Sequence, residues 1–477
     1  MSNLRRIVIV GGGITGLAAA HAAVARARET GRAVAVTLLE RSPRLGGNLI
    51  TEHVDGFLLD AGPDSWVAAK PQATALAREL GLGGALMGTN EGTRRYYIAW
   101  AGALHPVPEG LVLGVPTRLG PLARTRLFSW AGKARMALEP TIPARRFDGD
   151  DDESIADFAT RRLGREASER LVAPLLGGIS AGDASDISVR AAFPQLVAME
   201  REHGSLVRGM QAAARARAAS KGAGGEGSAF LSLEGGVGAL AAALCERLRA
   251  EGVDLRVEAF VRSVARSERG WTVETNAGEH VPAAALLLAV PATAAGRLVG
   301  ALDGGIARGL GAVGYASTAT VFLAYRRADV AHPLDGVGFV VPRALGRPIL
   351  ASTWVSSKWS GRAPEGHVLL RAFFGGAWGE EALKLDDDGL STLARRELQA
   401  LMGLDAQPLW SRVFRFDGTS AQMRVGHLAA MRALRERLAE VAPGVLVAGG
   451  GYDGVGIPDC IRQGQEAGRA LADLAAS

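Results

Sequence analysis

Apolar and polar positions alternate in blocks over the first forty residues of the chain. Residues 5–10 (RRIVIV) form a short run of β-branched side chains, which favours a strand. Residues 17–29 (LAAAHAAVARARE) are rich in alanine and have the composition of a helix. A second apolar run, 33–40 (AVAVTLLE), again favours a strand. The order strand, helix, strand predicts a βαβ unit with two parallel strands.

Glycines mark the junction between the first strand and the helix. Gly11, Gly13 and Gly16 have the GxGxxG spacing, which allows a tight turn, close approach of backbone to a pyrophosphate, and close packing of helix on strand. Glu40 follows at roughly the spacing expected for a ribose-binding acid. Arginines in the helix exclude the alternative of a secretory signal. The residues predicted to contact a dinucleotide here are Gly11, Gly13, Ile14, Thr15, Gly16 and Glu40.

A second glycine motif follows the second strand. In residues 40–48 (ERSPRLGGN), the pair Gly46 and Gly47 allows close backbone approach, and Arg44 can neutralise phosphate charge. A surface turn with a solvated arginine is the alternative. Glu40 argues against NADP, whose 2′-phosphate it would repel. The succession of GxGxxG, an acid and RxGG resembles the FAD-dependent amine oxidase superfamily. The resemblance implies noncovalent FAD, because the C-terminal segment lacks the flavin-linking cysteine pattern of some amine oxidases.

The C-terminal region supplies a matching element. Residues 444–475 (GVLVAGGGYDGVGIPDCIRQGQEAGRALADLA) predict a buried strand, a glycine-rich turn, and a helix that begins between Ile457 and Asp459. If that helix start faces the flavin pyrimidine ring, its dipole stabilises negative charge on the reduced cofactor. The alternative is that the strand and helix merely close the sheet, and both can hold.

The middle of the chain returns to the strand pattern. Residues 253–291 contain strand-like runs with turns at 268–270 and 276–278. The strand pattern predicts that the nucleotide-binding domain is discontinuous. The resemblance implies an α/β, monoamine oxidase-like fold with a discontinuous Rossmann-like FAD-binding domain, an α+β substrate domain and a mainly helical inserted domain. The predicted segments are 1–80, 228–290 and 425–477 for FAD binding, 81–92, 197–227 and 291–424 for substrate binding, and 93–196 for the helical domain.

Composition limits the class of protein. With 477 residues, 48% of them hydrophobic, the chain can bury more than one core. The net charge of +5 comes without a basic run interleaved with aromatics, so nucleic acid binding is not expected. Cys245 and Cys460 offer neither a disulfide framework nor a metal site, which favours a reducing compartment, and we expect a cytoplasmic location. The apolar run 281–296 is too short to cross a bilayer and contains two prolines.

Motifs along nearly the whole chain resemble the protoporphyrinogen oxidases, flavoenzymes of haem biosynthesis. They include DAGPDSW, RRYYI, ISAGDASDISVRAAFP, MEREHGSL, GVGFVVP, FFGGAW and GYDGVGIPDCI. The resemblance implies a six-electron oxidation of protoporphyrinogen IX, with dioxygen reduced to hydrogen peroxide. The flavin accepts hydride, so no catalytic side chain is expected. Coproporphyrinogen III, which carries four propionates, is the alternative substrate. Another flavin oxidase or desaturase of amines or polyenes, and a catalytically silent flavin-binding scaffold, are further alternatives.

The same resemblance assigns binding residues. Arg95 matches a propionate-binding arginine, although an extra residue before 103–108 (ALHPVP) leaves Arg94 open. Ordinary core packing is the alternative for the apolar positions. The remaining residues assigned to the substrate are Gly178, Gly338, Val340 and Phe373. The residues assigned to FAD, besides those of the glycine turn, are Arg41, Arg44, Gly46, Gly47, Gly62, Pro63, Val261, Gly450, Val455, Gly456 and Ile457.

Residues 110–140 resemble the region through which relatives dock on a membrane surface. This stretch mixes arginines with apolar side chains, and we expect Phe128 and Trp130 to insert between lipids if it docks. A pair of solvated helices is the alternative. Attachment to the cytoplasmic face of a membrane and formation of a homodimer are both left open by the sequence.

Overall fold

The computed structural model forms the βαβ unit that the sequence predicts. It describes residues 5–93, 95–179, 181–220, 228–268 and 270–475. The strands, in chain order, are β1 (Arg5–Val10), β2 (Val34–Leu39), β3 (Thr51–Val54), β4 (Phe57–Asp60), β5 (Trp66–Val67), β6 (Leu86–Gly88), β7 (Tyr97–Trp100), β8 (Ala103–Pro106), β9 (Leu111–Val112), β10 (Val115–Pro116), β11 (Phe230–Leu233), β12 (Asp254–Arg256), β13 (Val261–Ser267), β14 (Gly270–Thr275), β15 (His280–Ala283), β16 (Ala285–Leu288), β17 (Gly314–Arg326), β18 (Gly338–Val340), β19 (Ile349–Trp354), β20 (His367–Gly375), β21 (Trp410–Gln422) and β22 (Val445–Val447).

Helices connect these strands and form most of one inserted region. They are α1 (Ile14–Glu29), α2 (Pro71–Glu79), α3 (Leu119–Arg124), α4 (Trp130–Ala137), α5 (Ile155–Leu163), α6 (Arg165–Ala167), α7 (Ala173–Ile179), α8 (Val189–Ala192), α9 (Pro194–His203), α10 (Leu206–Ser220), α11 (Gly238–Ala250), α12 (Ala292–Val299), α13 (Gly304–Gly311), α14 (Val355–Lys358), α15 (Glu380–Leu383), α16 (Asp387–Met402), α17 (His427–Val441) and α18 (Ile457–Leu474).

A parallel five-stranded sheet carries the predicted nucleotide motif. Its strand order is β12-β2-β1-β16-β22, so it combines strands from both ends and the middle of the chain. The strands β1 and β16 are buried on both faces, which explains their continuous apolar sequences. The discontinuous α/β fold is therefore confirmed, while the residue boundaries of the domains stay a prediction.

The first and last helices of the described chain pack against each other beside this sheet. A side chain at Gly464 of α18 would lie 2.3 Å from the carbonyl oxygen of Thr15 in α1, so only glycine permits this contact. The predicted start of the C-terminal helix is confirmed, because α18 begins at Ile457.

A seven-stranded mixed sheet forms the second layer, in the order β21-β17-β20-β19-β18-β7-β8. Its residues alternate between two faces. Phe339, Ala372 and Val321 point to a core that includes α16, whereas Val340 contacts the core of the helical region. Strands β7 and β8 belong to this sheet although they lie within the stretch predicted to be mainly helical.

The inserted helices pack around a separate core, which contains Leu127, Phe128 and Phe158. Phe128 is only 3% exposed, so the prediction that it inserts between lipids is wrong. Lys133 is also buried and donates to the carbonyl of Ala123. Of the helices described, none combines the length and apolar character that crossing a bilayer requires.

Candidate cofactor and substrate site

The glycine turn between β1 and α1 is fixed by close backbone contacts. Gly11 has φ +109°, and a side chain there would lie 2.3 Å from the carbonyl oxygen of Ala289. A side chain at Gly16 would lie 1.9 Å from the carbonyl oxygen of Gly11. Gly13 is the N-cap of α1, and no side chain among the described residues caps this helix end. The backbone N–H groups around Ile14 therefore remain available to an anion.

The carboxylate of Glu40 lies beside this turn. Its two oxygens accept from the N–H of Gly12 at 2.6 Å and of Ser42 at 2.8 Å. These bonds hold the carboxylate in place. Since a carboxylate has about four acceptor sites, it keeps capacity for a ribose hydroxyl.

The second glycine motif folds back against the first. The N–H of Gly46 donates to the carbonyl of Gly12 at 2.8 Å, and the Arg44 guanidinium donates to the carbonyl of Gly47. Arg41 and Arg44 both lie on the surface. The structure thus brings the two glycine motifs together, as their proposed common ligand requires.

Val261 opens β13 next to Glu40. The N–H of Ala259 donates to the carbonyl of Glu40 at 2.8 Å, which ties the start of this strand to the end of β2. Val261 then pairs with Thr275 of β14. That the backbone of Val261 contacts adenine stays a prediction.

The loop after β4 contains Gly62 and the exposed Pro63, and it is held from both sides. Asp60 accepts from the Thr51 hydroxyl at 2.6 Å and from the Val237 N–H at 3.0 Å. Asp64 accepts from the Lys358 ammonium at 2.7 Å and the Trp359 indole at 3.0 Å, which ties the loop to α14, the helix after β19 of the second sheet.

Arg371 of β20 reaches the same loop from the second sheet. Its guanidinium donates to the carbonyl of Ala61, which also accepts from the Thr320 hydroxyl at 3.3 Å. Burial lowers the pKa of Arg371 to about 10, which leaves the group charged at neutral pH. Neither Arg371 nor Thr320 was predicted to belong to the site. The signal was available in HVLLRAFFG, where one arginine interrupts an apolar strand.

The C-terminal turn completes the cofactor side of the site. Gly450 follows Gly449, whose N–H donates to the Gln463 side chain at 3.2 Å. Val455 and Gly456 are half-buried, and Gly456 is the N-cap of α18, which begins with the buried Ile457. Among the described residues no side chain caps α18.

The start of α18 is tied to the start of α2. Lys70 donates to both oxygens of Asp459 at 2.7 Å. Because Asp459 lies in the first turn of α18, this bond fixes the helix end that is predicted to face the flavin. The pairing of Lys70 with Asp459 was not predicted from the sequence.

These parts together fit FAD. The backbone approaches at Gly11 and Gly16 leave no space for side chains, and the start of α1 offers N–H groups for phosphates. Glu40 offers an acceptor for ribose. When bound, FAD supplies the capacity to accept a hydride. Among the described residues, no group of histidine, cysteine, aspartate and glutamate side chains could hold a metal ion.

The residues predicted to line the substrate site lie on three elements, β18, β20 and α7. Val340 and Phe373 are half-buried on the face of the second sheet from which Arg371 reaches Ala61. Helix α7 lies next to β18. Gly178 near its end is exposed, and a side chain built there would meet no atom within 4 Å. We refer to this region, where α7 lies next to β18, as the cleft.

Arg95 and Gly338 lie at the start of β18. The partner of Arg95, Asp335, also accepts from the hydroxyl of Tyr97, which packs in the core of Phe339 on the opposite face of the sheet from Val340. The carbonyl of Arg95 accepts from the N–H of Val337 at 2.7 Å, which places Arg95 at the start of β18. Its guanidinium is 61% exposed and lies 3.5 Å from Asp335. Gly338 has φ +135°, and a side chain there would lie 2.0 Å from the Ser352 carbonyl, so strand pairing alone requires glycine. Arg94 lies outside the described residues.

Comparisons with known proteins show the family to which this chain is similar. Residues 14–472 match the family model described as flavin containing amine oxidoreductase. The coproporphyrinogen III oxidase of Bacillus subtilis is 35% identical over 97% of this chain and 97% of its own length. Protoporphyrinogen oxidase 1 of Arabidopsis thaliana chloroplasts is 28% identical over 96% of this chain and 86% of its own length. A crystal structure of a candidate protoporphyrinogen oxidase from Exiguobacterium sp. 255-15 is 33% identical, with a TM-score of 0.86 and 99% of both chains covered.

Proposed function

This chain belongs to the flavin containing amine oxidoreductase family, and from that premise we propose that it oxidises coproporphyrinogen III to coproporphyrin III. It is a flavin-dependent oxidoreductase with FAD as cofactor. The observation that carries the proposal is the 35% identity, over nearly the full length of both chains, to a protein named coproporphyrinogen III oxidase. From the sequence alone, protoporphyrinogen IX is the expected substrate. The relative named for protoporphyrinogen, from Arabidopsis thaliana, is only 28% identical. The comparison therefore favours coproporphyrinogen III, the alternative substrate.

The geometry of the cleft supports a large, mainly apolar substrate with carboxylates at its edge. Val340 and Phe373 supply apolar surface, and the open position at Gly178 leaves room on the opposite wall. Arg95 supplies an exposed guanidinium at the rim, where a propionate can be gripped by two hydrogen bonds. In this proposal the side chains bind and orient the macrocycle, and no side chain has to exchange a proton with it.

The cofactor roles of the named residues are part of the same proposal. The turn at Gly11, Gly13 and Gly16 and the start of α1 bind the pyrophosphate, and Glu40 binds the ribose. The backbone of Val261 lies on the adenine side, while Gly450 and Val455 to Ile457 lie at the flavin. The bond of Lys70 to Asp459 holds the start of α18, and the bond of Arg371 to Ala61 holds the loop after β4.

The test is oxidation of defined substrates by the purified, FAD-containing protein. We expect coproporphyrinogen III to give red-fluorescent porphyrin, with three hydrogen peroxide molecules per porphyrin if dioxygen accepts all six electrons. Protoporphyrinogen IX should be oxidised with a lower kcat/KM. A higher kcat/KM for protoporphyrinogen IX would instead identify it as the substrate, as the sequence predicts. Turnover of amines or polyenes instead would overturn the proposal, and FAD binding without any turnover would indicate a scaffold.

We further propose that the protein acts in the cytoplasm and that the α3–α4 region docks on an anionic membrane surface. Trp130 is 74% exposed and Leu119 is 60% exposed. Arg118, Arg124 and Arg126 lie on the same short stretch and are exposed. A side chain such as Trp130 can enter the interface while arginines stay near lipid phosphates.

The docking proposal predicts a loss of vesicle binding in a triple variant. Replacing Arg118, Arg124 and Arg126 with serine should weaken binding to anionic vesicles by about 1 kcal/mol for each charge. The control replaces Arg432 and Arg437 of α17, which are also exposed. Equal binding by the triple variant and the unmodified protein at low salt would exclude this surface.

A further inference from the structure

The two ends of β18 carry similar pairs of charged residues. At the start of the strand, Arg95 lies 3.5 Å from Asp335, and its side chain is 61% exposed. Past the end of the strand, Arg343 lies 3.6 Å from Asp183, and its side chain is also 61% exposed. The stretch from Val337 to Arg343 spans up to about 20 Å if extended. One arginine therefore cannot serve both ends of β18.

Arg343 lies where the two walls of the cleft meet. It follows Val340 by three residues, and its partner Asp183 follows Gly178 by five residues. Its guanidinium also lies 3.1 Å from the ring centroid of Trp378. Strands β18 and β20 run in the same direction, because both are antiparallel to β19. Arg343 and Trp378 each follow the C-terminal end of one of these strands, so they lie at the same end of the sheet.

A main-chain bond fixes this end of the cleft. The N–H of Ala377 donates to the carbonyl of Ala181 at 2.9 Å, so the segment after α7 is attached to the segment after β20. Trp378 is 51% exposed although it is large and apolar. The stacked pair of Arg343 and Trp378 thus presents a cation and a flat apolar surface beside the cleft.

We propose that Arg343 is a second carboxylate-binding residue, which selects a tetrapyrrole with carboxylates at both ends of the cleft. The inference rests on the proposed function. The ion pair with Asp183 is long and its arginine is mostly exposed, so a substrate carboxylate can compete for the guanidinium at small cost. Arg95 binds a carboxylate that both candidate substrates provide. Arg343 binds one of the additional propionates that coproporphyrinogen III carries and protoporphyrinogen IX lacks.

The experiment measures both binding and turnover in matched variants of the FAD-containing protein. Binding of coproporphyrin III and of protoporphyrin IX is followed by fluorescence titration, and the KM and kcat of both porphyrinogens are measured. We expect Arg343→Gln to raise the Kd of coproporphyrin III and the KM of coproporphyrinogen III about tenfold. The values for the two protoporphyrin species should change less than twofold, kcat should stay constant, and Arg343→Lys should restore most of the affinity. Arg437→Gln is the control, because Arg437 pairs with an aspartate on α13's N-cap, away from the cleft.

The outcomes separate the inference from the proposed function. Equal effects of Arg343→Gln on the two porphyrins, or no effect on either, would overturn the inference even if coproporphyrinogen III is the substrate. If the unmodified protein oxidises neither porphyrinogen but the variants still discriminate between the porphyrins, the proposed function fails and the binding site stands. A loss of kcat without a change in Kd would assign Arg343 a structural role instead.

Discussion

The cofactor side and the substrate side of this site are built in different ways. On the cofactor side, main-chain groups touch main-chain groups, as at Gly11 and Ala289, and the carboxylate of Glu40 is bonded to backbone N–H groups. On the substrate side, the charged groups at Arg95 and Arg343 are exposed and held by long ion pairs. The difference indicates that the cofactor side is rigid before binding, whereas the substrate side can exchange its internal partners for a ligand's carboxylates.

The largest expected effect comes from filling the cofactor turn. Gly11→Ala places a methyl group against the carbonyl of Ala289 at a φ that alanine rarely adopts. We expect a loss of about 3 kcal/mol or more in the free energy of unfolding, together with loss of FAD. Thermal unfolding and flavin absorbance measure both. Gly84→Ala is the control, since a side chain there meets no neighbour. A yellow Gly11→Ala protein of normal stability would show that this turn is not rigid.

The next effect tests the junction between the two sides. Asp64→Asn weakens the contact with Lys358 and Trp359, and we expect a loss of about 3 kcal/mol in stability at pH 7. Asp335→Asn, at the exposed pair with Arg95, should change stability by less than about 1 kcal/mol. Denaturant unfolding compares the two variants. If both variants lost a similar amount of stability, the contact of Asp64 would be no more important for folding than the exposed pair of Asp335 and Arg95.

The same junction has a defined pH dependence. Burial alone would raise the pKa of Asp64, but the Lys358 ammonium and the Trp359 N–H outweigh burial and hold this pKa well below its ordinary value. A depressed pKa gives stability that is present above the unfolded value of about 3.9 and is lost as the pH falls below it. The melting temperature of the unmodified protein should therefore decline more steeply below pH 4 than that of Asp64→Asn. Parallel curves would contradict this assignment.

A smaller effect is expected from the ribose acceptor. Glu40→Gln keeps the size of the side chain but removes the charge that accepts from Gly12 and Ser42. We expect the Kd of FAD to rise about ten- to a hundredfold, which corresponds to about 1.4 to 2.8 kcal/mol. Titration of the apoprotein with FAD measures this. Glu52→Gln, on β3 of the separate two-stranded sheet, serves as the control. An unchanged Kd would limit Glu40 to holding the turn.

The smallest effect is expected at the substrate rim. Arg95→Gln should raise the KM of the porphyrinogen about tenfold, or about 1.4 kcal/mol, and leave kcat within twofold. The reason is that a rim contact is equally strong in the ground state and the transition state. Steady-state kinetics with Arg437→Gln as control measures it. A fall in kcat at constant KM would show that Arg95 also orients the reacting part of the substrate.

The cofactor side could be predicted from sequence because its constraints are local. The GxGxxG spacing and Glu40 lie within one βαβ unit, and the helix start at Ile457 follows from a glycine-rich turn before an amphipathic run. Each of these features depends on residues close together in the chain. The specific contacts proposed for FAD still stay predictions.

The substrate side depends on pairing between distant strands, which no local pattern reveals. The parallel pairing of β7 with β18 places Arg95 beside Val337, although the two are far apart in sequence. The bond from Arg371 to Ala61 likewise joins the seven-stranded sheet to the loop after β4. Burial of Phe128 was missed because the alternation of arginines and apolar residues fits a membrane-facing helix as well as an ordinary core helix.

The contact between α1 and α18 also constrains how the protein is made. Gly464 meets Thr15, so the helix that follows the nucleotide turn finds its partner only after the chain as far as Gly464 has left the ribosome. Strand β22 completes the sheet equally late. Until then, the apolar surface of α1 stays uncovered and accessible to chaperones. Cofactor loading is therefore expected to follow synthesis, and truncation before α18 should give an aggregation-prone chain without flavin.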